Sequence, residues 1–382
     1  MTYIHQLADW PKFKYDPGSL LNSLSEVMER RGFLIGKLEA LGFGDLQDAK
    51  VDALTAEAVK SSEIEGEHLD YEEVRSSIAR KLGMQTGGVP AGDRRADGVS
   101  DIAIDASERW ADPLTKARLL KWHKRLFPNG RGPYGPIKAG AWRDESSGQM
   151  LVVSGPEGYE RIHFEAPAAT RMEVEMERFL AWFNSGAEPN GIIRAALAHL
   201  WFVTIHPFKD GNGRAGRAIL DLALAQSDRR EWRCYSVSEQ IREERRAYYD
   251  ALKYAQRGTM DAGEWIEWLL GCLGRSLETA GDRTAAVLAR ARFWKTHSDA
   301  GLNDRQRHVL HRMLGEEWQG KMTSQKWQKI TGASPKTATR DMADLVTTGI
   351  FYREEGARKN ASYNLVKERT FTYKTGKDEA DL

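Results

Sequence analysis

Apolar residues recur at helical spacing through most of the chain. Leu20, Leu21, Leu24, Val27 and Met28 form the first series; Asp16-Pro17 ahead of it supplies an N-cap and a first-turn proline, and Gly42 a stop. A second helix is expected from about Ala53 to Glu65, closed by Gly66 in a left-handed conformation, so that it ends on an acidic cluster. Tyr71 to Leu82 is a third amphipathic segment, leading into Gly87-Gly88-Val89-Pro90-Ala91-Gly92, a loop by composition. The helical pattern resumes from Val99 to Leu273. Within it, Gly191 to Ile205 is apolar nearly all round, which marks a buried central helix. One stretch breaks the pattern: Leu151-Val152-Val153 and Arg161-Ile162-His163-Phe164 are strand formers around Ser154-Gly155-Pro156-Glu157-Gly158, predicting a β-hairpin on a helical body.

The C-terminal quarter changes character. An Ala/Arg-rich connecting helix is expected from Arg283 to Thr296, then three short helices at Asp304–Leu314, Thr323–Ile330 and Ser334–Val346. Two strands, Phe351–Arg353 and Ser362–Val366, flank a Gly-Ala-Arg-Lys-Asn turn, completing a winged helix-turn-helix pattern. The tail from Lys367 to Leu382 is polar.

Composition narrows the class. A chain of 382 residues, 41% apolar, with 12 Trp, 12 Tyr and 12 Phe, has material for two or three folded cores rather than disorder. Its 56 basic and 55 acidic residues leave a net charge of +1, so any nucleic-acid or lipid binding must be local. Cys234 and Cys272 are too few for a zinc cage or a disulfide framework and fit a reducing compartment. The most apolar stretch, Ala195 to Ile205, falls short of the roughly 20 residues a membrane span needs, and Met1 to Phe13 lacks a signal-peptide apolar region. The expectation is a cytoplasmic protein without membrane contact.

The chemistry lies in His206-Pro207-Phe208-Lys209-Asp210-Gly211-Asn212-Gly213-Arg214-Ala215-Gly216-Arg217. Pro207 ends the buried helix and helical periodicity restarts at Arg217, so this is a loop running into a helix N-terminus. Unpaired N–H groups and the positive end of the dipole suit an anion there, and Gly211 and Gly213 let the backbone approach a phosphate. Arg214 and Arg217, three apart, can hold two phosphates from one face. Asp210 is the loop's one carboxylate and a natural Mg²⁺ ligand beside phosphate oxygens. His206, with an ordinary pKa near 6.5, can take a proton from a hydroxyl, and Asn212 can bond an oxygen on which charge builds up.

Singly these residues are weak signals, a lone His being more often structural. Together they match the Fic-family motif His-x-Phe-x-Asp/Glu-Gly-Asn-Gly-Arg-x-x-Arg, and the sequence resembles Fic-domain protein adenylyltransferases. The resemblance implies a mainly α fold: a Fic helical core (99–280) with a β-hairpin flap, an N-terminal helical extension (1–98), a linker helix (281–299), a winged helix-turn-helix (300–366) and a tail (367–382). It implies transfer of AMP from ATP to a Ser, Thr or Tyr hydroxyl of a target protein, or of the enzyme itself, with release of pyrophosphate. His206 becomes the base and Asp210 the Mg²⁺ ligand. Gly211, Asn212 and Gly213 form the anion hole, Arg214 and Arg217 hold the outer phosphates, and Phe208 anchors the loop. Doc-type kinases carry Lys where this chain has Gly213, which argues against kinase activity. The hairpin sits where the family docks its target by strand pairing; Tyr248 and Tyr249 resemble the segment that lines the adenine pocket. Ser61-Ser62-Glu63-Ile64-Glu65-Gly66 matches the inhibitory motif Ser/Thr-x-x-x-Glu-Gly/Asn. A glutamate in a last helical turn gains nothing from the dipole, so a partner elsewhere is expected. The resemblance makes that partner Arg217, and Ser61, Glu65 and Gly66 a self-inhibitory element in the same chain. Ile4-His5-Gln6-Leu7-Ala8-Asp9-Trp10-Pro11 also resembles the opening of bacterial Fic proteins with such an extension.

Between Gly301 and Val366 stand eleven basic and seven acidic residues. Lys336, Thr337, Thr339 and Arg340 lie where a recognition helix meets base edges, and Arg358-Lys359 where a wing meets phosphates; the same module can instead bind protein or dimerise. Three readings stand on sequence: a self-inhibited adenylyltransferase, a de-AMPylating enzyme, and a DNA-binding regulator whose Fic core senses ATP. A homodimer is compatible with each.

Overall fold

The computed structural model describes residues 2–84, 93–132, 135–154, 161–230, 233–314, 318, 320–354 and 361–366. The elements run α1 (Leu21–Glu39), α2 (Phe43–Ile64), α3 (Tyr71–Lys81), α4 (Arg94–Glu108), α5 (Lys116–Leu126), β1 (Arg131–Gly132), β2 (Gly135–Pro136), β3 (Leu151–Ser154) and β4 (Arg161–Glu165). Then come α6 (Met172–Ser185), α7 (Gly191–Ile205), α8 (Asn212–Asp228), α9 (Val237–Glu243), α10 (Arg245–Ala255) and α11 (Gly263–Thr296). The last group is α12 (Asp304–Met313), β5 (Met322–Thr323), α13 (Ser324–Thr331), α14 (Pro335–Thr347), β6 (Phe351–Arg353) and β7 (Ser362–Leu365). Contacts divide the chain into units 1–287 and 288–382, and the division falls within α11.

In the first unit α7 is the spindle. Every residue of it but Gly191 and Arg194 is buried, which explains its uniform apolarity, and Asn190 caps it through bonds to the N–H groups of Ile192 and Ile193. Helix α8 packs along it, and a Cβ on Gly216 would stand 2.8 Å from Val203, so the two helices meet at a glycine. Around this pair, α2, α3, α4, α6, α10 and α11 contribute to a single apolar core. The N-terminal residues belong to that core too: Ile4 and Trp10 are buried, and the Trp10 indole donates to Glu175 of α6. Strands β3 and β4 pair antiparallel as expected, with Val153 and Ile162 exposed.

Three local expectations differ from the structure. Asp16 does not cap a helix at Pro17: its carboxylate accepts the Gly18 N–H at 3.0 Å in a local turn, and α1 begins at Leu21. Gly42 does not close α1 but opens α2, as its N-cap. Helix α2 begins ten residues before Ala53, because Gly44, Asp45 and Asp48 mask a segment that Leu46, Ala49 and Val51 tie to the core.

The second unit holds α12–α14 and an antiparallel sheet of order β5-β7-β6 over its own core, including Val309, Trp327, Met342, Leu345 and Phe351. The sequence pattern missed β5, which at two residues is too short to alternate. The expected connecting helix is the C-terminal part of α11. The loop 87–92, the tip of the β3–β4 hairpin, the wing turn with Arg358 and Lys359, and the tail lie outside the described residues.

Candidate functional site

His206 is the C-cap of α7, in a left-handed conformation (φ 54°, ψ 57°) that a non-glycine residue holds only where its surroundings fix it. What fixes it is Arg143, a buried residue absent from the sequence reading. Its guanidinium donates to the carbonyls of His206 (2.8 Å), Ile205 (3.4 Å) and Pro167, and its own N–H donates to Pro207 O. Those of Ile205 and His206 are carbonyls that a helix end leaves unpaired. Burial pulls the Arg143 pKa down to about 10.

The rest of the loop is held as tightly. Phe208 is fully buried and stacked on His123, ring centroids 4.0 Å apart. The His123 Nδ1 accepts the Gly140 N–H at 2.9 Å, so its Nε2–H donates to Asp210 O at 3.2 Å. Asn212, buried at the start of α8, bonds both backbone groups of Phe208: Oδ1 accepts the N–H and Nδ2 donates to the carbonyl, both at 2.8 Å. Its side chain thereby closes the loop, and one N–H of the amide is not used in these two bonds. Asp210 accepts the Gly211 N–H on one oxygen and has no ion-pair partner among the described residues. No group of three or more His, Cys, Asp or Glu that could cage a metal occurs among the described residues.

The His206 ring contacts Val203 O through Nδ1 at 3.3 Å. A carbonyl only accepts, so Nδ1 carries the hydrogen and Nε2 offers a lone pair. Burial drives the His206 pKa down to about 4; the Arg143 charge lowers it further, while the Val203 bond and Glu65 oppose. The imidazole is neutral at pH 7, the form a general base needs.

At the start of α8 a carboxylate of the protein itself lies against the helix end. Glu65, the C-cap residue of α2, places Oε1 2.8 Å from Nη2 of Arg217, and a Cβ on Gly213 would stand 2.0 Å from that oxygen. Arg217 is buried and also donates to Ser61 Oγ (2.9 Å) and Ser61 O (2.7 Å); its Nη1 has no hydrogen-bond partner among the described residues. Burial works against the Arg217 charge, but Glu65 and then the phenols of Tyr248 and Tyr249 more than offset it, and its pKa is raised. Burial likewise opposes ionisation of Glu65, and Arg217, Arg214 and His206 outweigh it, holding that carboxyl below its usual range. Arg214 does not point at the same partner as Arg217: it pairs with Glu67 and lies over the Phe127 ring at 5.0 Å. Gly66 has the expected left-handed φ of 81°, as does Gly211.

Tyr248 is buried, its hydroxyl bonded to His199 Nε2 at 2.9 Å, so it is covered here rather than open to a ligand. Tyr249 is 38% exposed beside the end of α2, whose Ile64 carbonyl accepts from Arg245 Nε at 2.8 Å. In the second unit Lys336, Thr339 and Arg340 are exposed on α14, Thr339 giving its hydroxyl to Pro335 O, while Thr337 is drawn into the helix cap by Ser334. Glu67, Arg143 and His123 carry no motif of their own. They show only through what they touch.

Residues 113–224 match the Fic/DOC family model, with the loop and both arginines inside the match. The matched segment is a Fic/DOC-family domain. Residues 3–84, containing α2 and Glu65, match a domain of unknown function, DUF4172. Among curated relatives, the chain is similar to "protein adenylyltransferase Fic" of Culex quinquefasciatus, 25% identical over 266 residues (66% of this chain, 46% of the relative). The Drosophila melanogaster protein of the same name is 27% identical over 240 residues (62% and 44%). The chain thus spans less than half the length of these relatives. In fold it is similar to a Fic family protein from Desulfovibrio desulfuricans G20 (TM-score 0.52, 21% identity, 94% of this chain and 99% of that one). A Fic domain-containing signaling protein from Bacteroides thetaiotaomicron gives a TM-score of 0.50 at 18% identity, over 68% of this chain and 97% of that one. The fold is therefore the mainly helical Fic fold with small hairpins and a C-terminal small-sheet region. No helix among the described residues is long and apolar enough to cross a membrane.

Proposed function

We propose that this Fic protein transfers AMP from ATP to a hydroxyl of a target protein and is held inactive by Glu65. The observation that carries the reading is the Glu65 carboxylate lodged between Arg217 and Gly213 at the N-terminus of α8. A site that retains a carboxylate on a buried guanidinium and a positive helix end is built for an anion, and His206, with Nε2 bare and neutral, stands at the other end of the same loop.

In this reading the α8 N–H groups bind ATP oxygens, Arg214 and Arg217 hold the outer phosphates, and Tyr249 borders the base. Asp210 would hold Mg²⁺, which screens phosphate charge when bound. His206 Nε2 takes the proton of the target hydroxyl as its oxygen bonds to the α-phosphorus. The bond from that phosphorus to the α,β-bridging oxygen breaks, and pyrophosphate leaves with the electron pair. Carbonyl bonds from Arg143 and His123 keep the loop in this form before substrate arrives, so little reorganisation is left for the reaction. The exposed Val153 and Ile162 of the β3–β4 hairpin suit docking of an extended target segment.

The test is incubation of Glu65→Gly protein with ATP labelled at the α- or the γ-phosphate. Label from the α-position entering protein is the expected result; label entering only from the γ-position would turn the assignment to a kinase.

A further inference from the structure

Helix α2 ends in a way that delivers two carboxylates, not one. The Gly66 N–H donates to Glu63 O and the Glu67 N–H to Ser62 O, both at 3.0 Å, with Gly66 at φ 81°. That is a complete Schellman closure: the left-handed glycine folds the chain back so that the residue after it returns over the last helical turn. Glu65 and Glu67 therefore both reach the start of α8 from one helix end. Glu65 takes Arg217 and Glu67 takes Arg214, in separate ion pairs. Glu67 also lies 3.6 Å from Arg95 of α4.

Both motif arginines are buried, Arg217 at 1% exposure and Arg214 at 8%. A buried guanidinium without a counter-ion is strongly unfavourable, so in the ligand-free protein each needs an anion, and each has its own. The Arg214 Nε has no hydrogen-bond partner among the described residues, its guanidinium lies over the Phe127 ring, and Glu65 acts on it without an ion pair between them. Glu67 thus supplies the main counter-charge of Arg214. The inhibitory motif Ser/Thr-x-x-x-Glu-Gly/Asn ends at Gly66 and does not include it.

We propose that Glu67 is a second inhibitory residue, occupying Arg214 as Glu65 occupies Arg217, so that an incoming polyphosphate must displace two carboxylates to gain both arginines. This rests on the reading of Arg214 and Arg217 as phosphate ligands. Removing Glu67 leaves Arg214 unpaired in the free protein, and ATP then regains what was lost; removing Glu65 does the same at Arg217.

The experiment is calorimetric titration of the full-length protein with ATP and, separately, AMP, for wild type, Glu67→Gln, Glu65→Gly and the double variant, each checked for an unchanged far-UV spectrum and a cooperative melt. Glu67→Gln should tighten ATP about tenfold in either background, and AMP, which lacks the outer phosphates, should bind as before. Glu63→Gln, whose carboxylate pairs with Lys60 and Arg242 instead, should change neither constant. Should glutamine weaken the helix end enough to broaden the melt, Glu67→Ser serves in its place. If Glu65→Gly tightens ATP and Glu67→Gln does not, the role of Glu67 is overturned while the nucleotide reading stands. Equal tightening of AMP and ATP by Glu67→Gln also overturns it. If no variant, the double included, binds ATP, both readings fall together.

Discussion

Glu65 and Arg217 face each other at 2.8 Å across 152 residues of sequence, joining the end of one helix to the beginning of another. The pair sets a carboxylate on a positive helix end and a guanidinium on a negative one, because Arg217 also bonds the Ser61 carbonyl in the last turns of α2. Cutting it by Glu65→Gly should raise AMP transfer to protein about tenfold or more, a tenfold change corresponding to about 1.4 kcal/mol of lost inhibition. In that background His206→Ala should lower the rate by about 10²- to 10⁴-fold, the range for a lost general base. Incorporation of α-labelled ATP measures both; equal rates for Glu65→Gly and wild type would remove the inhibitory role.

Arg143 should act on the base through geometry and through charge. In Arg143→Gln the carbonyls of Ile205 and His206 lose their donor and the cation that lowers the His206 pKa disappears. We expect kcat to fall about 10- to 100-fold in the Glu65→Gly background, with the KM for ATP little changed, since Arg143 touches the loop before α8, the proposed phosphate site. The acid limb of the pH–kcat profile should move to higher pH as His206 recovers toward its ordinary value. A residue that merely stabilised the fold would lower the amount of active enzyme without moving that limb.

Much of the proposed site could be read from the sequence, because its chemistry is compressed into the contiguous run from His206 to Arg217, which carries the histidine, the glycines and two arginines across one loop and the helix start that follows it. The hairpin and the buried α7 were legible for the same local reason: each is bounded by its own turn formers and carries an unbroken pattern. What escaped was non-local. Arg143 lies 63 residues before His206 and bonds backbone carbonyls, which no side-chain pattern marks. His123 looks like any helical histidine until Phe208 is stacked on it. Asn212 also closes the loop on both backbone groups of Phe208, a contact made by the fold. Glu67 becomes meaningful only once Gly66 has turned the chain back over its helix.

Stability should fall on the acid side well before the carboxylates titrate. Burial lowers His123 and His199 from the ordinary 6.5 to about 4. A depressed folded pKa means that the unfolded chain binds the proton first. The stability these residues contribute is intact above pH 6.5 and is lost progressively as pH falls toward 4, on the order of 1–2 kcal/mol each by pH 5. Asp228, pushed up to about 6 by burial, works in the opposite sense and offsets part of one of them. Melting temperatures between pH 7 and 5 should therefore decline, and His123→Gln, which deletes one titrating group, should show a shallower decline. An equal slope in that variant would mean that His123 is already protonated in the native protein.

Gly66 offers a way to loosen the proposed inhibitory helix end without touching any charge. At φ 81° an alanine is strained by about 1 kcal/mol, yet an added Cβ would meet nothing within 4 Å, so the cost is conformational and the core is undisturbed. The strain is relieved if the chain leaves the left-handed conformation, and that movement withdraws the residues on either side, Glu65 and Glu67, from Arg217 and Arg214. Gly66→Ala should therefore raise AMP transfer by about fivefold, the population shift that about 1 kcal/mol allows and less than full removal of Glu65 gives. Gly66→Asn, which tolerates the left-handed region, should stay near wild type. A Gly66→Ala enzyme as inactive as wild type, with a lowered melting temperature, would show that the strain is absorbed without releasing the carboxylates.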